Sequence, residues 1–194
     1  MTTYDVLKNT YPLLNIPVSK FSKCDIPENH TSDTLYYNNL KNEKELYELL
    51  KTIKIKKYIL DFKETPRYFE FDYICEVPIL KPAYIFIELK SRKVNIKAFK
   101  KTIFPVSKIN YYRKLKKINK NVNTALILIF SFLNDNKKNE YYYIQYNKNT
   151  FERYKLLYNT LSLKNGEYYN IPTEDLKKLD DLDLNNYINT LEKL

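Results

Sequence analysis

The sequence predicts an α/β fold, and two observations predict it. The stretches AYIFIELK (83–90) and NTALILIFSFL (123–133) are rich in β-branched and aromatic residues and hold no Gly or Pro. That is strand composition. Elsewhere apolar residues recur three and four apart, the spacing of helices with one buried face. At 194 residues the chain is long enough for a single domain with a substantial core.

The elements follow in order. Residues 1–40 are irregular, with a short helix expected around 4–14. NEKELYELLKTI (42–53) reads as the first firm helix, with Leu46, Leu49, Leu50 and Ile53 on its inner face and Glu43, Glu45 and Glu48 on other faces. KIKKYILDFK (54–63) reads as a strand, ended by Thr65-Pro66. RYFEFDYICEV (67–77) reads as a second strand, and Pro78 and Pro82 bracket the link to AYIFIELK. A short strand is expected at VNIKAF (94–99). Pro105 suits a first helical turn, and the helix it opens runs to about Asn119. Ile109, Tyr112 and Leu115 then face inward, and Arg113, Lys116, Lys117 and Lys120 outward. NTALILIFSFL reads as a buried strand, NDNKKN as a turn and EYYYIQY (140–146) as a further strand. Helices are expected at 149–162 and around Leu184, Tyr187, Ile188 and Leu191.

The chemistry gathers at the middle of the chain. Side chains two apart on a strand share a face, so Glu88 and Lys90 point the same way. Tyr84 and Phe86 share that face, and Ile85, Ile87 and Leu89 take the other. A strand apolar on both faces is a central one. Its only charges lie at its end, where the sites of α/β sheets open. Asp72 lies sixteen positions before Glu88 on the preceding strand.

An acid, a gap and then Glu-x-Lys closing an apolar run resembles the PD-(D/E)XK nuclease signature. The order helix, three strands, helix, two strands resembles the αβββαβ core of restriction-endonuclease-like folds, over about 42–146. Phe71, not Pro, precedes Asp72, a departure shared by many members. The resemblance implies a mixed central sheet flanked by helices, an N-terminal extension and a helical C-terminal elaboration at about 147–194, all in one domain. It implies a divalent-metal-dependent endonuclease that hydrolyses DNA, with branched or nicked DNA among the substrates left open. Asp72, Glu88 and Lys90 would be catalytic. Mg²⁺ or Mn²⁺ would be held by Asp72, Glu88, the Leu89 carbonyl and a first-helix glutamate, for which Glu45 is preferred over Glu48. Lys108, Tyr111 and Tyr112 match the polar residue and tyrosine that members carry on the following helix. Some cap-snatching members add a histidine ligand, for which His30, the lone histidine, is the sole candidate. Small enzymes of this kind often dimerise to cut two strands.

Rivals stand beside this assignment. Asp61-Phe62-Lys63 also ends an apolar run, and Glu70 shares the expected face of Asp72. Glu88 and Lys90 also fit a plain solvated strand end. Two other functions stay open: a catalytically inactive nucleic-acid-binding or scaffolding protein on the same fold, and an RNA endonuclease of the cap-snatching type.

Charge points to an acidic partner. The net charge is +10, and the isoelectric point is near 9.3. From Lys90 to Lys120 there are twelve Lys or Arg and no Asp or Glu, whereas Thr173 to Leu194 holds six acids and three lysines. A one-sign block after the candidate site suits a polyanion. Arg113, Lys116, Lys117 and Lys120 are its candidate nucleic-acid contacts, with DNA favoured over RNA. One glycine, Gly166, excludes Gly-rich phosphate loops. Two cysteines without metal-ligand spacing, no apolar run of membrane-spanning length and no signal-peptide pattern lead to the expectation of an intracellular protein that does not enter a membrane.

Overall fold

The computed structural model of the chain describes residues 34–52, 54–55, 58–65, 69–77, 83–118, 122–159 and 166–182. The expectations at 4–14, His30, Ile53, Lys120 and 184–191 lie outside them. The protein is α/β, built on a mixed six-stranded sheet. No helix among the described residues is long and apolar enough to cross a membrane.

The helix α1 spans Thr34–Leu50. The expected strand at 54–63 is instead a small antiparallel pair, β1 (Lys54–Ile55) with β2 (Tyr58–Ile59), followed by the separate β3 (Lys63–Glu64). Next come β4 (Tyr73–Glu76), β5 (Ala83–Ser91), β6 (Lys101–Pro105) and the helix α2 (Val106–Ile118). The strands β7 (Asn123–Leu133) and β8 (Asn139–Gln145) follow, then the one-turn helix α3 (Lys148–Phe151). The chain continues with β9 (Leu156–Asn159), β10 (Gly166–Pro172) and β11 (Lys177–Lys178).

The main sheet runs β11-β8-β7-β5-β4-β3. Its centre is the parallel pair β5–β7, in register from Ala83↔Asn123 to Ser91↔Ser131; every other neighbour is antiparallel. Both central strands are buried on both faces, as a covered parallel pair requires. Phe86, Leu126, Leu128 and Phe130 pack against Ile109, Tyr112 and Leu115 of α2. Ile85, Ile87, Ile127 and Ile129 face Leu46 and Leu50 of α1. Leu49, expected inward, is 39% exposed: one buried stripe suffices to dock α1.

The C-terminal half departs from the helical expectation. α3 opens on Asn147, whose side chain accepts from the Thr150 amide, and ends after one turn. Successive tight turns place Phe151 and Tyr154 three apart on one side, which imitates helical periodicity. The Lys155 carbonyl then accepts from the Asn170 amide at 3.0 Å, and the chain enters a ladder. The result is a second sheet, β6-β10-β9, whose Phe104, Tyr169 and Ile171 extend the α2-side core. VNIKAF is likewise no strand. Asn95 caps a 3-10 turn at Ile96–Ala98, and the strand begins at Lys101.

Phe86 touches the rings of Phe69, Phe71 and Tyr112. Phe86→Ala is expected to destabilise the fold by about 3–5 kcal/mol, whereas Phe99→Ala, at a position 59% exposed, changes stability by no more than about 0.5 kcal/mol. Urea unfolding of the two variants checks this pair.

Candidate acidic site at the strand ends

β4 runs antiparallel to β5, with Tyr73 opposite Ile87. The start of β4 therefore lies beside the end of β5, and Asp72 reaches the residues that close the apolar run. The Asp72 amide donates to the Ile87 carbonyl at 2.9 Å. Beyond that point the strand ladder with β4 has ended, and the Leu89 amide donates to Asp72 Oδ2 at 2.6 Å. The carboxylate thus replaces a missing strand partner, which fixes it at the site.

Glu88 is 1% exposed. Its oxygens meet two ammonium groups. Lys90 Nζ donates to Glu88 Oε1, and Lys108 Nζ lies 3.2 Å from Oε1 and 3.3 Å from Oε2. Burial pushes the Glu88 carboxyl above its ordinary value and nearby Asp72 adds to this, while Lys90 and Lys108 oppose it. Burial also raises Asp72, against the Leu89 amide and Lys90. The two carboxylates therefore share one charged environment at one end of the sheet.

A third acid stands there, one that the sequence pattern alone did not single out. Burial raises the Glu43 carboxyl, then Glu64 and Glu88 do, and Lys90 lowers it. In the folded chain Glu43, three before Leu46 and seven before Leu50, continues the buried stripe that docks α1 on the sheet and does not lie on an outer face as expected. An acid on a buried stripe marks a polar site. Its backbone carbonyl is fixed by the Tyr73 hydroxyl at 2.8 Å.

The preferred Glu45 is turned elsewhere. Its Oε2 accepts from Asn139 Nδ2 at 2.6 Å and from the Tyr141 hydroxyl at 3.2 Å. Asn139 also donates to Asn42 Oδ1 at 2.8 Å, and Asn42 donates to Ser91 Oγ at 3.0 Å. Glu45 therefore belongs to a polar tie between α1 and the ends of β5 and β8. Glu48 pairs with Lys51 on the exposed surface. The rival Asp61 and Lys63 form an exposed ion pair at 2.6 Å.

The expected nucleic-acid contacts divide. Lys108 is in the acidic site. Tyr111 packs against Phe69 and Phe71, and burial with Glu70 nearby pushes its hydroxyl up to about 12. Tyr112 is a core residue whose hydroxyl donates to the Thr124 carbonyl at 2.7 Å, so it offers nothing to a ligand. Arg113 Nε donates to the Tyr146 hydroxyl at 2.7 Å. Lys116 and Lys117 are exposed.

Among the described residues no group of three or more His, Cys, Asp or Glu side chains is spaced to hold a metal ion. The donors present are carboxylate oxygens and backbone. Mg²⁺ is commonly held by one or two carboxylates, with waters and substrate phosphates completing its shell. Asp72 and Glu88 fit that sparser arrangement, not a closed cage. No protein-family profile matches the chain, and no match was found among curated proteins or solved structures.

The raised carboxyls set a pH dependence. Glu43, Asp72 and Glu88 hold protons in the folded state above their ordinary values of 4.5, 3.8 and 4.5. The folded state binds more protons than the unfolded chain in that window, so their contribution to stability is lost as pH rises through it. Urea unfolding at successive pH values should show stability falling above those values, and Glu88→Gln should flatten the fall. A wild-type stability that rises with pH through this window would contradict the assignment.

Proposed function

We propose that this chain is a divalent-metal-dependent endonuclease that hydrolyses DNA phosphodiester bonds. The observation that carries the reading is the placement of Asp72 beside Glu88 at one strand end, with the Lys90 ammonium on the Glu88 carboxylate. The strand order adds support. β3, β4 and β5 form an antiparallel run, and α2 lies between β5 and its parallel neighbour β7 in the chain, in keeping with the resemblance to restriction-endonuclease-like cores.

Asp72 and Glu88 would hold Mg²⁺ or Mn²⁺, with Glu43 replacing Glu45 as the acid that α1 supplies. A strand residue sends its N–H and C=O toward the same neighbour, so the Leu89 carbonyl would face the Asp72 side as well. The ion, when bound, would activate water and neutralise charge at the phosphate. The protein's own part is positioning. The Leu89 amide holds the Asp72 carboxylate in place. Lys90, released from Glu88, would steady the attacking oxygen or the phosphate. Lys116 and Lys117 would offset the repulsion between a polyanion and these acids.

A catalytically silent nucleic-acid-binding protein is the second reading. It is favoured by the two ammonium groups that already balance Glu88 and by the lack of a three-ligand group among the described residues.

Supercoiled plasmid, branched DNA and single-stranded RNA incubated with Mg²⁺, Mn²⁺ or EDTA separate these readings. The nuclease reading expects metal-dependent DNA cleavage. Lys90→Ala should lower it by about 10²–10³-fold while DNA affinity stays nearly unchanged. Binding without cleavage of any substrate would favour the silent protein, and cleavage of RNA alone would move the substrate class. In filter-binding assays Lys116→Gln with Lys117→Gln should reduce the log–log salt slope by about 0.9 for each phosphate that is no longer neutralised. An unchanged slope would place the binding surface elsewhere.

A further inference from the structure

We propose that Lys108 is a built-in cation that occupies the Glu70–Glu88 side of the acidic site and limits the protein to one divalent ion. The inference rests on the metal-site reading of Asp72 and Glu88 and adds a stoichiometry to it. Lys108 Nζ lies 3.2 Å and 3.3 Å from the two oxygens of Glu88 and 3.5 Å from Glu70 Oε2. It also donates to the Glu70 backbone carbonyl. One ammonium thus bridges two carboxylates and a carbonyl, a set of hard oxygen donors of the kind that divalent cations take. Lys90, by contrast, pairs with Glu88 through Oε1.

The position of Lys108 makes this placement hard to attribute to helix stability. It is the third residue of α2, whose first turn holds no acid. A helix N-terminus favours negative charge, so the dipole of α2 opposes a lysine there. The compensating charge comes from Glu70 and Glu88, which lie off the helix.

In two-metal phosphodiesterases the ions sit about 3.5–4 Å apart and clamp the attacking and leaving oxygens. Glu88 shares Lys108 with Glu70 and is acted on by the charge of Asp72, so it would be the carboxylate common to both positions. An ammonium on the Glu70 side puts one positive charge where a second cation would sit and excludes the ion itself. Removing that charge leaves Glu70 and its carbonyl without this ammonium and Glu88 with Lys90 on one oxygen only, which opens a place for a second ion.

Counting Mn²⁺ tests this, by electron paramagnetic resonance titration of free Mn²⁺ with and without a DNA oligonucleotide. The wild-type protein should bind one ion, Lys108→Arg one, and Lys108→Met two. Lys108→Gln should also bind two, which keeps the test decisive if the methionine variant does not fold. Adding Glu70→Gln to either neutral variant should return the count to one. Two ions on the wild type, or a single ion on both neutral variants, would overturn the role of Lys108 and leave the metal site standing. No ion on the wild type under either condition would remove the metal-site reading itself, and this inference with it.

Discussion

A carboxylate buried at the end of an apolar strand is the constraint around which this structure is arranged. β5 is buried from Ala83 to Leu89, and Glu88 is buried with it. An ionised acid in such a place is strongly destabilising unless charge and hydrogen bonds compensate it. The compensation comes from two elements: Lys90 from the same strand and Lys108 from α2. Asp72 adds a like charge nearby. Those opposed influences mark a site whose electrostatics are not those of a surface ion pair, and strongly perturbed groups of this kind cluster at functional sites.

The surrounding fold holds the groups in position. α1 covers one face of the sheet through Leu46 and Leu50, and α2 covers the other through Ile109, Tyr112 and Leu115. The polar tie of Asn42, Glu45, Ser91 and Asn139 locks α1 to the ends of β5 and β8, which holds Glu43 near the acids. The second sheet, β6-β10-β9, packs against the α2-side core through Phe104, Tyr169 and Ile171. Its exposed β9 residues, Leu156, Leu157 and Tyr158, lie on an edge strand.

Much of the site was readable from periodicity. The two-residue repeat placed Glu88 and Lys90 together on the Phe86 face, and the helical repeat placed Ile109, Tyr112 and Leu115 inward on α2. Three things were not readable that way. Glu45 looked the better site acid because Glu48 is flanked by leucines, but Asn139 and Tyr141 hold Glu45, and it is Glu43 that feels the charges of Glu88 and Lys90. Tyr112 carries a hydroxyl that suits a ligand, yet the Thr124 carbonyl satisfies it inside the core. Residues 149–162 show apolar residues at helical spacing, but among them β9 is a strand, paired with the nearby β10, which in turn pairs with the distant β6. The β6–β10 pairing leaves little trace in local sequence, because those partners lie far apart along the chain.

The central claim is that Asp72 and Glu88 form one cation site where β4 begins and β5 ends. Paramagnetic broadening of backbone amide resonances by substoichiometric Mn²⁺ tests it most directly. The amides of Asp72, Leu89 and Lys90 should broaden first, those of Glu43 and Lys108 next, and those of β9 and β10 least. Broadening centred on Glu174 and Asp175, or none at any amide, would contradict the claim.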